Sequence, residues 1–518
     1  MTALMGPSGS SKTTLLDVLA GRKTVGTIEG AIRFSGVNVS KHYLRRHTGY
    51  VEQFDTLLDS LTVREMLLYT AELKDPSNVP FREKAARVDA VLSRLALWSC
   101  RDVRIGSALA RGISGGQAKR VNIGIALVTD ARVLFLDEPT SGLDSYTANE
   151  VMTVVKGLAK TGTTICATIH SPTSYCFDLF DRVMMLLRGH LVYAGPNGQD
   201  VVDYFEANHP EAAMFGCKAG TAESTDFIQK IAPIRVRGAM RRVEWMVDLT
   251  TRADREGRAL ECARAFQGSA ECDRHEREVD EHLSTPAEPS ESMHRELHVT
   301  SATTNGVAWG WWIILKYRFL KDFTDVHYLA PRIADKVSLG LIIVSLYWGV
   351  GKHVDSVTAT NVSAVLMMIA VTPGFSATTY VPSLVLERLL FYRERNDGLY
   401  SSVTYLLAKM TEELVAAAIS SLIFCCLVFF PLKLAGSVLL FLCVFYLTTT
   451  IGIALAYLIA ALSPTLATAN TALPAYVLEF YSISGDHQWV EVAIESIFLV
   501  VFFLTAWAAL VSVKHQKR

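Results

Sequence analysis

A glycine-rich stretch that contains one lysine, GPSGSSKTT, runs from Gly6 to Thr14. Its spacing is typical of a loop that leads into a helix, where backbone N–H groups form a cradle for phosphate oxygens. Lys12 would reach the β and γ phosphates of a nucleotide, and the Thr13 hydroxyl would bind Mg²⁺. We therefore predict that ATP is held by Gly6, Pro7, Ser8, Gly9, Ser10, Ser11, Lys12, Thr13 and Thr14.

One position of this loop departs from the pattern, because Ser11 stands where a glycine normally precedes the lysine. If the turn needs a positive φ there, the serine Cβ would crowd the phosphates. Serine is small, however, and its hydroxyl could contact an anion itself. The departure concerns nucleotide affinity and not the type of site.

Two adjacent carboxylates follow an apolar run in VLFLDEP, from Val133 to Pro139. A carboxylate at the carboxyl end of a buried parallel strand can hold Mg²⁺ through water, which is the role predicted for Asp137. Glu138 is then the candidate general base for hydrolysis. The alternative interpretation is that the pair only caps the helix that follows.

Two single residues complete this candidate site. Gln53 follows a predicted strand and could bind Mg²⁺ while it senses the γ phosphate, although a lone glutamine is more often a surface residue. His170, in ATIHSP, follows another predicted strand and could contact the γ phosphate. A structural histidine is the alternative, and the position of His170 after Asp144 favours the functional interpretation.

The segment ISGGQ predicts a second anion site at the start of a helix. It contains Ser114, Gly115, Gly116 and Gln117. No phosphate in the same domain needs this second site. We therefore expect a second subunit to supply the nucleotide that it contacts.

The composition is that of a membrane protein with a soluble part. The chain has 518 residues, of which 50% are hydrophobic, and its net charge of −1 gives no indication of nucleic-acid binding. Roughly the first two hundred residues mix charged and apolar residues as a soluble α/β domain does, whereas the last two hundred contain long uncharged runs. No signal peptide is visible, so we expect the first domain to be cytoplasmic.

The pattern predicts an α/β P-loop nucleotide-binding domain followed by an all-α transmembrane helical domain. We place the first domain at residues 1–231, a polar and partly disordered linker at 232–305, an interfacial helix at 306–330 and the membrane domain at 331–518. Strands are predicted at Gly30–Val39, Val133–Leu136, Thr163–Thr168 and Val183–Leu187. The alternative for the interfacial helix is an amphipathic helix packed on the protein.

About six membrane spans are predicted, since each needs roughly 20 apolar residues. They lie near Ile333–Val350, Ala359–Tyr380, Glu412–Phe430, Leu434–Leu462, Thr465–Tyr481 and Val492–Val513, and the fifth is short. The arginine-rich connection Leu386–Asp397 and the basic end Lys514–Arg518 should both be cytoplasmic.

These motifs, in this order, resemble the ATP-binding cassette (ABC) transporters of the G subfamily, the white and pleiotropic drug resistance type. The resemblance implies that Gly6 to Thr14 form Walker A and that Ser114 to Gln117 form the signature. It also implies roles for Gln53 as the Q-loop glutamine, Asp137 and Glu138 as Walker B and catalytic base, Asp144 as the D-loop aspartate and His170 as the switch histidine.

The resemblance further implies a dimer, in which each ATP lies between Walker A of one cassette and the signature of the other. One cassette per chain makes this a half-transporter that forms a homodimer, or a heterodimer with a related ABC chain, in membrane lipid. The implied cargo is lipophilic. The family's aromatic residue before Walker A and its long loop between the fifth and sixth spans are not found in this sequence. The alternative is therefore a truncated, catalytically weak membrane subunit that acts only by pairing with a partner.

Overall fold

The computed structural model describes residues 1–471, except 35, 107–111, 130, 171, 209–237, 285–300, 302 and 353–355. The chain folds into two compact units. Among the described residues, the first contains Met1–Thr304 together with Asn396–Gly398, and the second contains Asn305–Arg395 and the chain from Leu399 to residue 471.

The first unit is built on a six-stranded sheet in the order β4-β5-β6-β1-β7-β8. The strands that precede the predicted nucleotide-binding residues are mutually parallel, and only β8 is antiparallel to its neighbour. The strands are β1 (Thr2–Met5), β4 (Thr48–Val51), β5 (Val133–Asp137), β6 (Thr164–Thr168), β7 (Arg182–Leu187) and β8 (His190–Pro196). Because the parallel strands point the same way, the loops after their carboxyl ends gather at one edge of the sheet.

Three of the four predicted strands are confirmed within a residue at each end: they are β5, β6 and β7. The fourth, predicted as one strand at Gly30–Val39, is a hairpin of β2 (Arg33–Phe34) and β3 (Val37–Asn38). Gly36 lies between the two strands with φ of 80°, a conformation that glycine adopts readily, and it turns the chain back.

Eight α-helices occur among the described residues of the first unit up to residue 208. They are α1 (Lys12–Leu19), α2 (Lys41–His47), α3 (Val63–Lys74), α4 (Phe81–Arg94), α5 (Gly115–Val128), α6 (Ser145–Lys160), α7 (Ser174–Asp178) and α8 (Gln199–Asn208). Leu16 of α1 and Ala20, the residue that follows the helix, pack on the sheet in a buried cluster with Tyr50 and Phe135. This packing fixes the direction in which α1 leaves the glycine-rich loop.

The predicted polar linker differs from the structure over residues 238–284, which form helices α9 (Gly238–Arg255), α10 (Ala259–Gln267) and α11 (Ala270–Ser284). These helices belong to the first unit. Phe266 is 2% exposed and packs its ring against Tyr204, with 5.9 Å between the ring centroids. The apolar residues of α10 are spaced so that they line one side of a helix. The high charge content of the segment led instead to the prediction of a linker.

The second unit is helical. Its long helices among the described residues are α12 (Val307–Thr324), α13 (Val326–Tyr347), α14 (Ser356–Ser376), α15 (Val381–Asn396), α16 (Ser402–Leu432) and α17 (Val438–Leu462). Within the described residues, three helical stretches are long and apolar enough to cross a membrane: Ala359–Asn396, Ser402–Leu432 and Val438–Leu462.

Only some of the six predicted spans can be compared with the described helices. The first overlaps α13, which contains Arg332, Asp335 and Lys336 and is not among the three stretches. The second, third and fourth overlap the three stretches. Most of the fifth and all of the sixth lie outside the described residues.

The helix predicted at the membrane interface, α12, packs on α16 inside the second unit. Trp311 donates a hydrogen bond from Nε1 to Thr411 Oγ1 at 3.1 Å, and Ile313 is buried. Trp312 and Leu320 are exposed. One face of α12 therefore fits the alternative of packing on the protein, while the other face carries apolar residues that suit a lipid interface.

Candidate functional site

The glycine-rich loop joins β1 to α1 at the edge of the sheet where the parallel strands end. Strand β1 is buried between β6 and β7, so the loop starts from a fixed point. Gly6 has φ of 144°, and a Cβ on it would lie 2.2 Å from the backbone oxygen of Leu186. Only glycine allows this close approach between the loop and the end of β7.

Lys12 is the first residue of α1 and is buried. Its ammonium donates hydrogen bonds to the backbone oxygens of Gly6 at 2.8 Å and Pro7 at 2.9 Å. Burial lowers the pKa of Lys12, and the nearby carboxylates of Glu138 and Asp137 oppose that change. The Lys12 ammonium thus links α1 to the start of the glycine-rich loop, and its positive charge lies near the two acidic residues.

Ser11 has φ of 73°, in the left-handed region that favours glycine. The turn before Lys12 therefore does need a positive φ. A non-glycine residue in this region carries strain of about 1–3 kcal/mol. The serine therefore adopts the backbone conformation that the glycine of the sequence pattern would adopt.

Thr13 and Asp137 are brought together by α1 and β5. The Thr13 hydroxyl donates to Asp137 Oδ1 at 3.0 Å, and the Thr168 hydroxyl donates to the same oxygen at 2.7 Å. Asp137 is buried and is paired in register with Thr168 on the neighbouring strand β6. A hydroxyl and a carboxylate thus stand side by side, and both are oxygen ligands of the kind that Mg²⁺ prefers.

Glu138 leaves the end of β5 in a left-handed conformation with φ of 45°. Its backbone N–H donates to Thr168 Oγ1 at 2.8 Å, and its carboxylate accepts a hydrogen bond from Gln53 Nε2 at 2.8 Å. Gln53 follows β4, the strand beside β5. The adjacent parallel strands therefore bring both predicted residues to one place.

His170 also lies at this edge, two residues after β6 ends. Its Nε2 is 2.8 Å from Ser8 Oγ in the glycine-rich loop. The predicted phosphate-binding loop and the predicted γ-phosphate contact are therefore neighbours. Thr14, the last residue of the predicted loop, is exposed on α1.

The four signature residues form a separate group at the start of α5. Ser114 caps the helix: its Oγ accepts from Gln117 N–H at 3.3 Å, and its own N–H donates to Gln117 Oε1 at 2.9 Å. Ser114 and Gly115 are exposed. The start of this helix is thus preformed and open to solvent.

Asp144 is tied to the signature through Thr147. Its carboxylate accepts hydrogen bonds from the backbone N–H of Thr147 at 2.9 Å and from its hydroxyl at 2.8 Å. These two bonds lower the pKa of the Asp144 carboxyl. A Cβ on Gly116 would lie 2.1 Å from Thr147 Cγ2, so the start of α6 after Asp144 packs directly on the predicted signature.

Two threonines of this arrangement are not among the residues singled out from the sequence. Thr168 joins Asp137 to Glu138, and Thr147 joins Asp144 to the signature. Thr168 could have been found as the polar residue that ends β6 after the apolar run Ile165–Ala167. Thr147 carries no comparable signal, because its packing on Gly116 depends on how α5 and α6 meet.

The donor set fits a Mg²⁺–nucleotide complex. Thr13, Asp137 and Gln53 offer hydroxyl, carboxylate and amide oxygens, which are hard ligands suited to Mg²⁺. The loop at the start of α1 offers backbone N–H groups to phosphate, and the buried Lys12 ammonium lies beside it. The site therefore offers oxygen ligands to Mg²⁺, and N–H groups and a positive charge to the phosphates.

Comparison with known proteins agrees with this geometry. Residues 1–141 match the family described as ABC transporter, and residues 310–485 match the family described as ABC-2 type transporter. ABC transporter G family member 38 of Oryza sativa subsp. japonica is 32% identical over 440 residues, which are 83% of this chain and 27% of that protein. ABC transporter G family member 35 of Arabidopsis thaliana is 33% identical over 429 residues, 80% of this chain and 27% of that protein.

The chain thus spans about a quarter of the length of these curated relatives, 27% in both cases. Within that length it contains both the ATP-binding and the membrane parts, in the order predicted from the sequence. The chain therefore contains an ATP-binding cassette of the ABC transporters followed by an ABC-2 type membrane domain, and it is similar to ABC transporters of the G family.

Proposed function

We propose that this chain is an ATP-driven membrane exporter of lipophilic compounds that hydrolyses ATP at a dimeric cassette interface. The observation that carries the proposal is the hydrogen-bonded assembly at one edge of the sheet. It joins Gln53 to Glu138, Glu138 through Thr168 to Asp137, and Asp137 to Thr13. Such an assembly has no evident purpose in a protein that only spans a membrane.

Each residue of the assembly has a distinct task in hydrolysis. Lys12 would hold the β and γ phosphates, and Thr13, Asp137 and Gln53 would hold Mg²⁺, which neutralises charge on the transferred phosphoryl group when it is bound. Glu138 would accept the proton of the attacking water. The hydrogen bond from Gln53 orients that carboxylate. His170 would contact the γ phosphate from its place beside Ser8.

The exposed signature supports the dimer. Ser114 and Gly115 lie at a capped helix start that is open to solvent, as a contact for a partner's nucleotide requires. We propose a homodimer, or a heterodimer with a related ABC chain, in which each ATP touches both cassettes. A mixed dimer of Lys12→Ala and Ser114→Arg chains would place both lesions in one site. Nucleotide trapping at the other site is expected, and no trapping at either site would contradict shared sites.

The membrane part supports the proposed cargo class and orientation. Three apolar helical stretches give the chain a bilayer-embedded surface, from which lipophilic compounds would be taken up. We propose that the cassette and the basic end of the chain lie on the cytoplasmic side, because Lys and Arg are enriched in cytoplasmic segments.

The test is vanadate-sensitive ATP hydrolysis by the purified chain in lipid vesicles, with the Lys12→Ala chain as the control. Hydrolysis by the unaltered chain and its loss in the variant are expected. Equal hydrolysis by both preparations would refute the assignment of this site. Uptake of a fluorescent lipophilic compound into inside-out vesicles, driven by ATP, would then test export.

The second candidate is a catalytically weak membrane subunit that acts by pairing with a partner. One observation favours it: Ser11 occupies the left-handed position before Lys12. If that strain prevents productive binding, the chain alone would show no vanadate-sensitive hydrolysis. Activity that appears only when a related chain is present would then support this candidate.

A further inference from the structure

Lys119 is a buried lysine on α5, two residues after Gln117, and is 2% exposed. Its ammonium lies 2.9 Å from the backbone oxygen of Gln53, 3.3 Å from that of Glu52 and 2.9 Å from Asp55 Oδ1. An ammonium has three N–H donors. The segment Glu52–Asp55 thus supplies one acceptor for each of them.

A second side chain of the same helix reinforces this arrangement. Asn122 lies three residues after Lys119 and donates a hydrogen bond from Nδ2 to Asp55 Oδ1. Residues three apart lie on the same face of a helix. One face of α5, which we call the signature helix because it begins with the predicted signature, is therefore bonded to the segment Glu52–Asp55.

The other end of that segment reaches the candidate general base. Gln53 accepts from Lys119 through its backbone oxygen and donates through its side chain to Glu138. Two hydrogen bonds therefore separate the signature helix from the Glu138 carboxylate. A displacement of α5 would move the backbone of Gln53 and, with it, the amide that orients Glu138.

We propose that Lys119 is the positioning residue that couples the signature helix to Gln53 and thereby sets the Glu138 carboxylate for hydrolysis. This inference rests on the proposed function, because it assigns Lys119 a part in the same reaction. Lys119 does not touch the reacting atoms itself. When a nucleotide bound by a partner subunit contacts the signature, α5 would be displaced. Through Lys119, this displacement would move Gln53 and change the orientation of Glu138 in the same chain.

The test compares Lys119→Met, Gln53→Ala and the double variant in lipid vesicles, with kcat and KM for ATP measured for each. Methionine keeps the length and apolar stem of lysine but makes none of the three polar contacts. Lys156→Met is the matched control. Lys156 lies on α6, and its ammonium donates to Asp181 Oδ1 at 2.6 Å. Lys119→Arg keeps the charge and the donors. Asp55→Asn is a milder change to the same ion pair.

Lys119→Met is expected to lower kcat about ten- to a hundredfold, as misplacement of a reacting group does, with KM changed less than about threefold. Gln53→Ala should itself lower kcat more, because it also removes a proposed Mg²⁺ ligand. Adding Lys119→Met to Gln53→Ala should then lower kcat less than about twofold further, since the connection from Lys119 to Glu138 through the Gln53 side chain is already broken. Lys119→Arg should restore most of the loss, and Asp55→Asn should show a smaller loss of kcat. Lys156→Met should stay near the unaltered chain. Independent, multiplying losses, or an unchanged kcat in Lys119→Met, would overturn the proposal.

Hydrogen exchange of the Glu52–Asp55 backbone amides supplies a readout that does not need hydrolysis. Exchange in the nucleotide-free chain should be at least about tenfold faster in Lys119→Met than in Lys156→Met. Equal exchange would refute the coupling even if the chain hydrolyses ATP. Faster exchange in Lys119→Met, together with no ATP hydrolysis by the unaltered chain, would refute only the proposed function.

Discussion

The side-chain amide of Gln53 donates a hydrogen bond to the carboxylate of Glu138, with 2.8 Å between Nε2 and Oε2. The two residues are 85 positions apart and meet because β4 and β5 are adjacent parallel strands. Glu138 is held from a second side by the Thr168 hydroxyl, which accepts from its backbone N–H. The candidate base is therefore oriented at both its backbone and its carboxylate.

Replacing Glu138 by glutamine should lower ATP hydrolysis by about 10² to 10⁴ while nucleotide binding is retained. The glutamine amide oxygen can still accept from Gln53, but it cannot take the proton of the attacking water. Hydrolysis and equilibrium ATP binding should be measured on the same preparation. Glu150→Gln, the same change on the exposed side of α6, is the control. Full hydrolysis by Glu138→Gln would exclude this residue as the general base.

Replacing Ser11 by glycine should stabilise the cassette by about 1 kcal/mol. Strain of about 1–3 kcal/mol at a left-handed non-glycine residue is removed, and about 0.5–1 kcal/mol is lost to the greater freedom of the unfolded glycine. Thermal unfolding measures the difference. Ser10→Gly is the control, since Ser10 is buried and is not among the residues with positive φ, and it should destabilise. A lower melting temperature for Ser11→Gly would show that the serine side chain contributes more than the strain costs.

The adjacent signature glycines should respond oppositely to alanine. A Cβ on Gly116 would lie 2.1 Å from Thr147 Cγ2, whereas a Cβ on Gly115 has Leu143 Cδ2 at 3.6 Å as its nearest atom. Gly116→Ala should therefore destabilise the cassette by about 1–3 kcal/mol through overpacking. Gly115→Ala should be neutral or slightly stabilising, because alanine is the better helix former. Unfolding of both variants gives the comparison, and equal stabilities would mean that Thr147 moves aside at little cost.

Truncation of Phe266 should destabilise the first unit although the sequence predicts a linker there. Phe266→Ala removes a buried ring that packs on Tyr193 and Tyr204, at an expected cost of about 3–5 kcal/mol. Leu260→Ala on the same helix is the control, because Leu260 is 56% exposed and should cost less than about 0.5 kcal/mol. Thiol labelling of the buried Cys262 during heating reports the loss of packing. Equal labelling of both variants would argue that α10 is not part of the folded core.

The candidate site residues can be proposed from the sequence because each belongs to a short local pattern. A glycine-rich loop before a helix, an apolar strand that ends in carboxylates and a polar residue after a strand are all encoded within about ten residues. The α/β class and the membrane part followed from hydrophobic periodicity and from the uneven spread of apolar residues.

Long-range packing decided the rest. The three helices over residues 238–284 read as a polar linker, since their few apolar residues gain stability only by packing on β8 and its neighbours. Thr147, Thr168 and Lys119 acquire their roles from partners 30 to 67 residues away or from a neighbouring helix. Local sequence therefore determined the chemistry of the candidate site. Only the tertiary structure decided which side chains orient it, because hydrogen-bond partners on different elements depend on how sheet and helices pack.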